Sequence, residues 1–184
     1  MRLFSLITFD RIDNCIADER LSRWGHFLGP CDRPFGVQSF GLHLAGELVA
    51  VATSASTVVD ACAGFARQEC VELARLCSDP KHTDLTRVAL RLWRKLAASE
   101  WHYWPARAYV SYADSTRHLG DIYRFDGWKK YGDVKGGKKN NHGHMKTIND
   151  KSVWFFEFPV DAPPQTPTPF TVESAPPPVT IPVY

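Results

Sequence analysis

Four residues that can bind or transfer protons lie near the end of one short predicted strand. Ser111, Tyr112 and Asp114 follow the start of this strand at Ala108, and His118 comes four residues after Asp114. Groups at the end of a parallel strand usually face a ligand in α/β sheets. Asp114 could orient an amine or accept its proton, the two hydroxyls could hydrogen-bond, and His118 could act as acid or base. The alternatives are a helix cap for Asp114, a core position for Tyr112 and a surface position for His118.

Glu72 is a further candidate because it interrupts an apolar run at residues 70–77. A buried carboxylate costs free energy unless it is paired or used in chemistry. Alternation along a strand places Glu72 on the face of Ala74 and Leu76, opposite Arg75. The residue is therefore either a general base or substrate ligand, or half of a structural salt bridge.

A mixed sheet is expected to position these residues, because strand-length and helix-length apolar patterns alternate along the chain. Strands are predicted at residues 4–9, 37–44, 48–53, 70–77, 108–112, 128–131 and 153–158. Helices are predicted at residues 13–24, after Thr83 to about 97, and at 115–126. A hairpin requires antiparallel pairing, whereas a strand–helix–strand unit requires parallel pairing. We expect two parallel strands to separate beside Ser78 and Ser111 and to open a cleft there.

The segment from residue 128 to 151 is rich in lysine, with seven lysines opposed by two aspartates. Lysines can follow phosphates, and aromatic rings can stack on a base that has been flipped out of DNA. The candidates for DNA contact are Lys129, Lys130, Lys135, Lys138, Lys139, Lys146, Tyr112 and Trp128. The alternative is an ordinary solvated surface. His142 and His144 could bind a metal, but no third ligand is evident.

Composition limits the class of protein. The formal net charge of +2 does not by itself imply a polyanionic partner. Five dispersed cysteines, without a C-x-x-C pair, fit a reducing compartment better than a disulfide framework. No apolar stretch approaches the length of a membrane span, and the amino terminus lacks the features of a signal peptide. We expect a soluble, cytoplasmic protein.

The chain divides into one domain at residues 1–158 and a proline-rich tail at residues 159–184. The tail holds nine of the 13 prolines. This composition favours an extended or disordered segment, because it cannot bury enough apolar surface to fold alone. The tail could still lie along the domain through Phe170, Ile181 and Tyr184, or bind a partner.

Three segments, taken in order, resemble the GNAT N-acyltransferases. Residues 41–51 resemble their second and third strands, residues 72–80 their fourth strand, and residues 122–128 their closing helix-to-strand motif. The resemblance implies an α/β fold with a mixed sheet flanked by helices. It also implies an acyl donor, and it places Tyr123 as the general acid for the leaving group.

The turn after the fourth strand departs from that family. GNAT enzymes that use acetyl-CoA have a glycine-rich turn whose amides hold the pyrophosphate, whereas residues 81–87 contain no glycine and include Asp84. Close approach of the backbone to phosphate is harder without glycine. Acetyl-CoA or another acyl donor is therefore expected to bind less readily. Candidate donor contacts are Leu76, Cys77, Ser78, Lys81, Thr83 and Arg87.

A narrower resemblance, to the Mom DNA-modification proteins of bacteriophages, spans about residues 69–146. It is carried by Ser111-Tyr112-Ala113-Asp114, His118-x-Gly120-x-Ile122-Tyr123 and Gly127-Trp128. It implies that DNA is the partner and that adenine N6 receives a carbamoylmethyl-type group, which protects the DNA from restriction. The implied catalytic candidates are Asp114, Tyr123, Ser111, His118 and Glu72. The alternatives are an acetyl-CoA-dependent N-acetyltransferase acting on a small amine or protein, and an inactive binding module.

Overall fold

The computed structural model describes residues 7–135 and 149–158 of the chain. Its strands are β1 (Ile7–Ile12), β2 (Gln38–Leu44), β3 (Glu47–Ala55), β4 (Ala61–Cys62), β5 (Phe65–Ala66), β6 (Cys70–Ser78), β7 (Ala108–Asp114), β8 (Lys129–Val134) and β9 (Lys151–Glu157). Its α-helices are α1 (Asn14–Arg23), α2 (Thr86–Glu100) and α3 (Asp121–Phe125), and 3-10 turns lie at Arg67–Glu69 and Pro80–Leu85.

The described strands form a mixed seven-stranded sheet in the order β1-β2-β3-β6-β7-β9-β8, with β4 and β5 as a separate small hairpin. The pairs β1–β2, β2–β3, β3–β6, β7–β9 and β8–β9 are antiparallel, and β6–β7 is parallel. The predicted α/β fold with a mixed sheet is therefore confirmed. The parallel pair arises because α2 connects β6 to β7, as a strand–helix–strand unit requires.

Helices cover both faces of the sheet. The apolar side of α2 presents Leu90 and Trp93 to one face, where both are fully buried, and the Trp93 indole N–H donates to Ser54 Oγ over 2.9 Å. On the other face, Ala17 and Leu21 of α1 pack around Val51. The helix predicted after Thr83 to about residue 97 is present as α2, but the predicted apolar side is only partly buried, since Leu96 is 37% exposed.

The predicted helix at residues 115–126 is much shorter in the structure, where α3 begins only at Asp121. Gly120, just before it, has φ 78°, a left-handed conformation that ends any preceding helix. A Cβ at this position would lie 2.2 Å from Cζ2 of Trp154, so a side chain has no room there. The expectation of a helix from residue 115 is corrected on this ground, and residues 115–120 form a loop beside the site.

Asp126 joins α2 to the corner between α3 and β8. Its side chain is fully buried and accepts hydrogen bonds from Arg91 Nε over 2.9 Å, from Arg94 Nε over 2.7 Å and from the Trp128 indole N–H over 3.2 Å. Burying a carboxylate is tolerated here because both oxygens have cationic or N–H donors. The network fixes the position of α3 relative to the sheet.

Replacing Asp126 tests this network. We expect Asp126→Ala to lower the free energy of unfolding by about 3 kcal/mol, because it leaves the half-buried Arg94 without its partner. Asp121→Ala is the control, since its pair with Arg124 is exposed and should be worth less than about 1 kcal/mol. Urea unfolding measures both. Equal losses in the two variants would contradict the assigned role of Asp126.

Candidate active site

The parallel pairing of β6 and β7 ends partway along both strands. It runs from Cys70 opposite Ala108 to Leu73 opposite Ser111. Beyond this point β6 continues to Ser78 beside β3, and β7 continues to Asp114 beside β9. The two strands therefore separate beside Ser111, as predicted, but on β6 they separate at Leu73, well before the predicted Ser78. The edge of β6 after Leu73 faces the gap on its β7 side.

A β-bulge in β6 marks the same point. Thr53 of β3 lies opposite Arg75, but the next residue, Ser54, lies opposite Leu73, so Ala74 is an extra residue in β6. A bulge reverses side-chain alternation beyond it. The expectation that Glu72 and Leu76 share a face, opposite Arg75, is corrected by this bulge. Leu73 and Leu76 face α2, whereas the Arg75 guanidinium faces the other side and donates to the carbonyl oxygens of Gly29 and Pro30.

The gap between the strands holds a cavity of about 500 Å³. Its walls come from the ends of β6 and β7, the loop before α3, the start of α2 and the segment after α1. The predicted residues that line it are Leu76, Thr83, Ser111, Tyr112, Asp114, His118 and Tyr123. The structure thus brings together most of the predicted catalytic residues and two of the predicted donor contacts.

Ser111 and Tyr123 form a buried pair in the cavity wall. The Ser111 hydroxyl donates to the Leu73 carbonyl over 3.2 Å, so the Tyr123 hydroxyl, 2.9 Å from Ser111 Oγ, is the donor in that second contact. Burial raises the pKa of Tyr123, and the hydrogen bond with Ser111 lowers it by less. The phenol therefore keeps its proton at neutral pH and is suited to donate it.

Asp114 lies at the rim of the cavity with both carboxylate oxygens occupied. Oδ1 accepts from the backbone N–H and the hydroxyl of Thr116 over 2.9 and 2.6 Å, and Oδ2 accepts from Asn149 Nδ2 over 2.7 Å. Arg117 Nε lies 3.5 Å from Oδ2. Burial raises the pKa of Asp114, but the hydrogen bonds from Asn149 and Thr116 outweigh it, so the pKa is lowered. Asp114 does not cap a helix, because residues 115–120 form a loop; it is an ionised group that fixes this loop before α3.

His26 lines the cavity close to the exposed His118 and was not singled out in the sequence. Its Nδ1 accepts a hydrogen bond from the Leu28 N–H over 3.3 Å, so the ring proton of the neutral form lies on Nε2. Burial lowers the pKa of His26 to about 4, helped by the charges of Arg75 and His118. His26 is thus neutral at physiological pH. Only the fold reveals it, because residues 25–36 form an irregular glycine- and proline-bearing segment with no periodic pattern.

Glu72 lies outside the cavity lining, on the side of the sheet opposite α2. Its Oε1 accepts from Arg33 Nη2 over 2.6 Å, and Oε2 has no hydrogen-bond partner among the described residues. Burial raises the pKa of Glu72 to about 7, although the charges of Arg33, Lys151 and Arg75 lower it. The predicted alternative of a structural salt bridge is present, and its arginine is Arg33. Tyr112 lies near this carboxylate, and its hydroxyl donates to Cys62 Sγ over 3.0 Å.

None of the four remaining predicted donor contacts lines the cavity. The buried Ser78 hydroxyl lies 2.6 Å from that of Thr86, which lines the cavity. Cys77 packs beside Val51 on the side of α1 and is separated from the cavity by the strand itself. Lys81 and Arg87 are exposed, and Arg87 Nη2 donates to the Phe125 carbonyl over 3.2 Å. Neither Lys81 nor Arg87 lines the cavity.

The predicted DNA contacts have different surroundings. Lys129, Lys130 and Lys135 are exposed on or beside β8, and Lys130 pairs with Asp133 over 2.8 Å. The expectation that Trp128 stacks on a base is corrected, since only 4% of it is exposed and it packs between Trp93 and Tyr123. Lys138, Lys139, Lys146, His142 and His144 lie outside the described residues.

Two further searches cover the described residues. No group of three or more His, Cys, Asp or Glu side chains in residues 7–135 and 149–158 is arranged to hold a metal ion. Over the same ranges, none of the helices has both the length and the apolar character needed to cross a bilayer.

Comparisons with known proteins identify the fold. No protein-family model matches the sequence, and no curated protein sequence matches it. The structure is similar to the ribosomal-protein-S18-alanine N-acetyltransferase from Escherichia coli, with TM-score 0.55 and 14% identity over 83% of this chain and 94% of that chain. It is also similar to Arabidopsis thaliana NAA60 in complex with acetyl-CoA, with TM-score 0.55 and 10% identity over 82% and 98% of the two chains. A probable acetyltransferase from Staphylococcus epidermidis gives TM-score 0.57 and 11% identity over 83% and 99%.

At these identities the likeness concerns architecture rather than activity. The chain therefore has the fold of the GNAT acetyltransferases.

Proposed function

We propose that this protein is an acyltransferase that binds an acyl donor between β6 and β7 and transfers an acyl-derived group to an amine. The observation that carries the proposal is the end of the parallel pairing at Leu73 and Ser111, directly beside a buried tyrosine that keeps its proton. Protein interiors are close-packed, so side chains that line an empty gap lose packing contacts that a bound ligand would supply. A cavity of about 500 Å³ is large enough for the reactive end of a donor and the acceptor amine together.

The acyl donor proposed for this cavity is a thioester of the acyl-CoA class. Support comes from the Arabidopsis structure with the same fold, which contains acetyl-CoA. In this chain the cavity reaches Thr83 and Thr86 at the start of α2, where the Thr86 N–H is already bonded to the Thr83 carbonyl. The glycine-free turn at residues 81–87 weakens the hold on a pyrophosphate, and we expect affinity below that of a glycine-rich turn.

The proposed reaction is a direct transfer. The amine nitrogen attacks the thioester carbonyl carbon, and the oxyanion that forms faces the edge of β6 beyond Leu73, which β7 leaves uncovered. The carbon–sulfur bond then breaks, and the Tyr123 hydroxyl turns from Ser111 Oγ to give its proton to the departing thiolate. The amine loses one proton, which His118 or solvent accepts at the mouth of the cavity, and Tyr123 is reprotonated from solvent.

Asp114 and Ser111 act in this scheme as positioning residues. Asp114 holds the loop of residues 115–120, and Ser111 fixes the direction of the Tyr123 hydroxyl. His26 stays neutral, and its Nε2–H can donate a hydrogen bond to an acceptor substrate. The site is therefore assembled from elements on both sides of the gap.

Adenine N6 in DNA is a second candidate acceptor. One observation favours it: Ser111, Asp114, His118, Gly120 and Tyr123, which carry the resemblance to the Mom proteins, all line the cavity. This exocyclic amine is neutral at physiological pH and needs no base before it attacks. It would have to be flipped out of the duplex to enter, and the exposed lysines of β8 would contact phosphates.

The role of Tyr123 can be measured directly. We expect Tyr123→Phe to reduce the rate of thiol release from the acyl donor about 100-fold, the effect of losing a general acid. Thermal unfolding should change little, because the ring keeps its contacts with Trp128 and Trp154. Tyr131→Phe is the matched control, since that tyrosine is 61% exposed on β8. Full activity in Tyr123→Phe would remove Tyr123 from the mechanism.

Donor binding can be tested by filling the cavity at the start of α2. Thr83→Trp adds bulk to an exposed residue of the lining, and we expect it to weaken acetyl-CoA binding by more than about tenfold, a loss of about 1.4 kcal/mol. Lys95→Trp adds the same bulk to the exposed side of α2 and should leave affinity unchanged. Isothermal titration calorimetry gives both values. Unchanged affinity in Thr83→Trp would place the donor elsewhere.

The acceptor class is decided by the products. If adenine is the acceptor, mass spectrometry of nucleosides from plasmid DNA co-expressed with the protein will show a modified deoxyadenosine. This product will be absent when Tyr123→Phe is expressed instead. Unmodified deoxyadenosine, together with acyl transfer to peptide or small amines by the purified protein, would exclude DNA and establish the protein or small-amine alternative.

A further inference from the structure

An aromatic patch lies at the end of the sheet opposite the cavity, and we define it as Phe35, Trp101, Tyr103 and Trp104. The ring centroid of Phe35 lies 4.7 Å from that of Tyr103 and 5.8 Å from that of Trp104. Trp101 lies 4.9 Å from Tyr103 and 5.0 Å from Trp104. The four rings therefore form one continuous surface, contributed by the segment before β2 and by the connection from α2 to β7.

The aromatic patch is rigid and partly open to solvent. Phe35 is 48% exposed and Tyr103 37% exposed, although large aromatic side chains normally gain from burial. Beneath them, the Trp104 indole N–H donates to the Cys70 carbonyl over 3.1 Å. A Cβ at Gly36 would come within 2.6 Å of the Trp101 ring, so the backbone lies directly against that ring. Fixed rings of this kind form a preorganised surface for a ligand.

The chain supplies a segment of suitable chemistry at the same end of the sheet. β9 runs antiparallel to β7, with Glu157 opposite Ala108, and the Phe158 N–H donates to the Arg107 carbonyl over 2.9 Å. The chain therefore leaves the sheet at Phe158, beside Arg107, which is three residues after Trp104 in the sequence. Residues 159–184 follow, which lie outside the described residues and hold nine prolines, two carboxylate side chains and no lysine or arginine.

We propose that residues 159–184 bind to the aromatic patch of their own chain as a polyproline segment. In polyproline II conformation a segment rises about 3.1 Å per residue. The six residues that follow Phe158, ending at Pro164, therefore span about 19 Å and can cross the patch. Proline rings pack on aromatic faces, and the partly exposed rings of Phe35 and Tyr103 can receive them. A tethered ligand needs little intrinsic affinity, because its effective concentration is high.

Photo-crosslinking in the full-length chain tests the proposal. We place p-benzoylphenylalanine at position 170 in place of Phe170, irradiate at low protein concentration, and map crosslinks by mass spectrometry. The expected product is an intramolecular crosslink to residues 33–37 or 101–107. We expect Phe35→Ala combined with Tyr103→Ala to reduce its yield about tenfold, as removal of two stacking rings should. This readout does not depend on transferase activity.

Two sets of variants separate docking from folding. Phe125→Ala combined with Tyr131→Ala removes two exposed aromatic rings elsewhere, 57% and 61% exposed, and should leave the yield unchanged. Replacing Pro163, Pro164, Pro167 and Pro169 by alanine leaves the aromatic patch intact and should also reduce the yield. Crosslinks to another surface, a yield that survives loss of Phe35 and Tyr103, or crosslinks found only between two chains would each overturn the proposal. The last of these would assign the surface to the tail of a second copy.

Discussion

The separation of β6 and β7 after Leu73 and Ser111 is the constraint on which the candidate site depends. Parallel strands normally continue their hydrogen bonds to the end of the shorter strand, but the extra residue at Ala74 changes the direction of β6 just where the pairing ends. The hydrogen-bond series from Tyr123 to Ser111 to the Leu73 carbonyl closes the inner end of the gap. The cavity is thus a consequence of backbone geometry, and the same geometry sets a protonated phenol at its base.

Buried carboxylates hold the parts of the site that lie outside the sheet. Asp126 ties α3 to α2, and Asp114 holds the loop that leads into α3, so both act on the element that carries Tyr123. Each has donors for both oxygens, which is the condition under which a buried charge is tolerated. Glu72 differs, because one of its oxygens has no partner among the described residues and its pKa is raised to about 7. Arg33 beside it is contributed by the same irregular segment that supplies His26.

Local patterns in the sequence predicted most of the sheet and the helix α2, since strand alternation and helical periodicity are local properties. The features that the sequence missed are non-local. A single inserted residue reversed the alternation between Glu72 and Leu76, the left-handed Gly120 shortened α3, and Trp128 became core because three other aromatic rings surround it. His26 has no sequence signal because its role arises only when an irregular segment folds over the gap. The predicted groups at the end of β7 do line the cavity, because strand ends are where an α/β sheet presents side chains.

The claim that the gap receives an acyl donor is tested most directly by a crystal structure of the protein with CoA or a non-hydrolysable acyl-CoA analogue. We expect the pantetheine arm to lie between β6 and β7, along the edge of β6 beyond Leu73, with the sulfur near the Tyr123 hydroxyl. A ligand bound on another surface, or a gap filled by protein side chains in a crystal that contains saturating ligand, would contradict it.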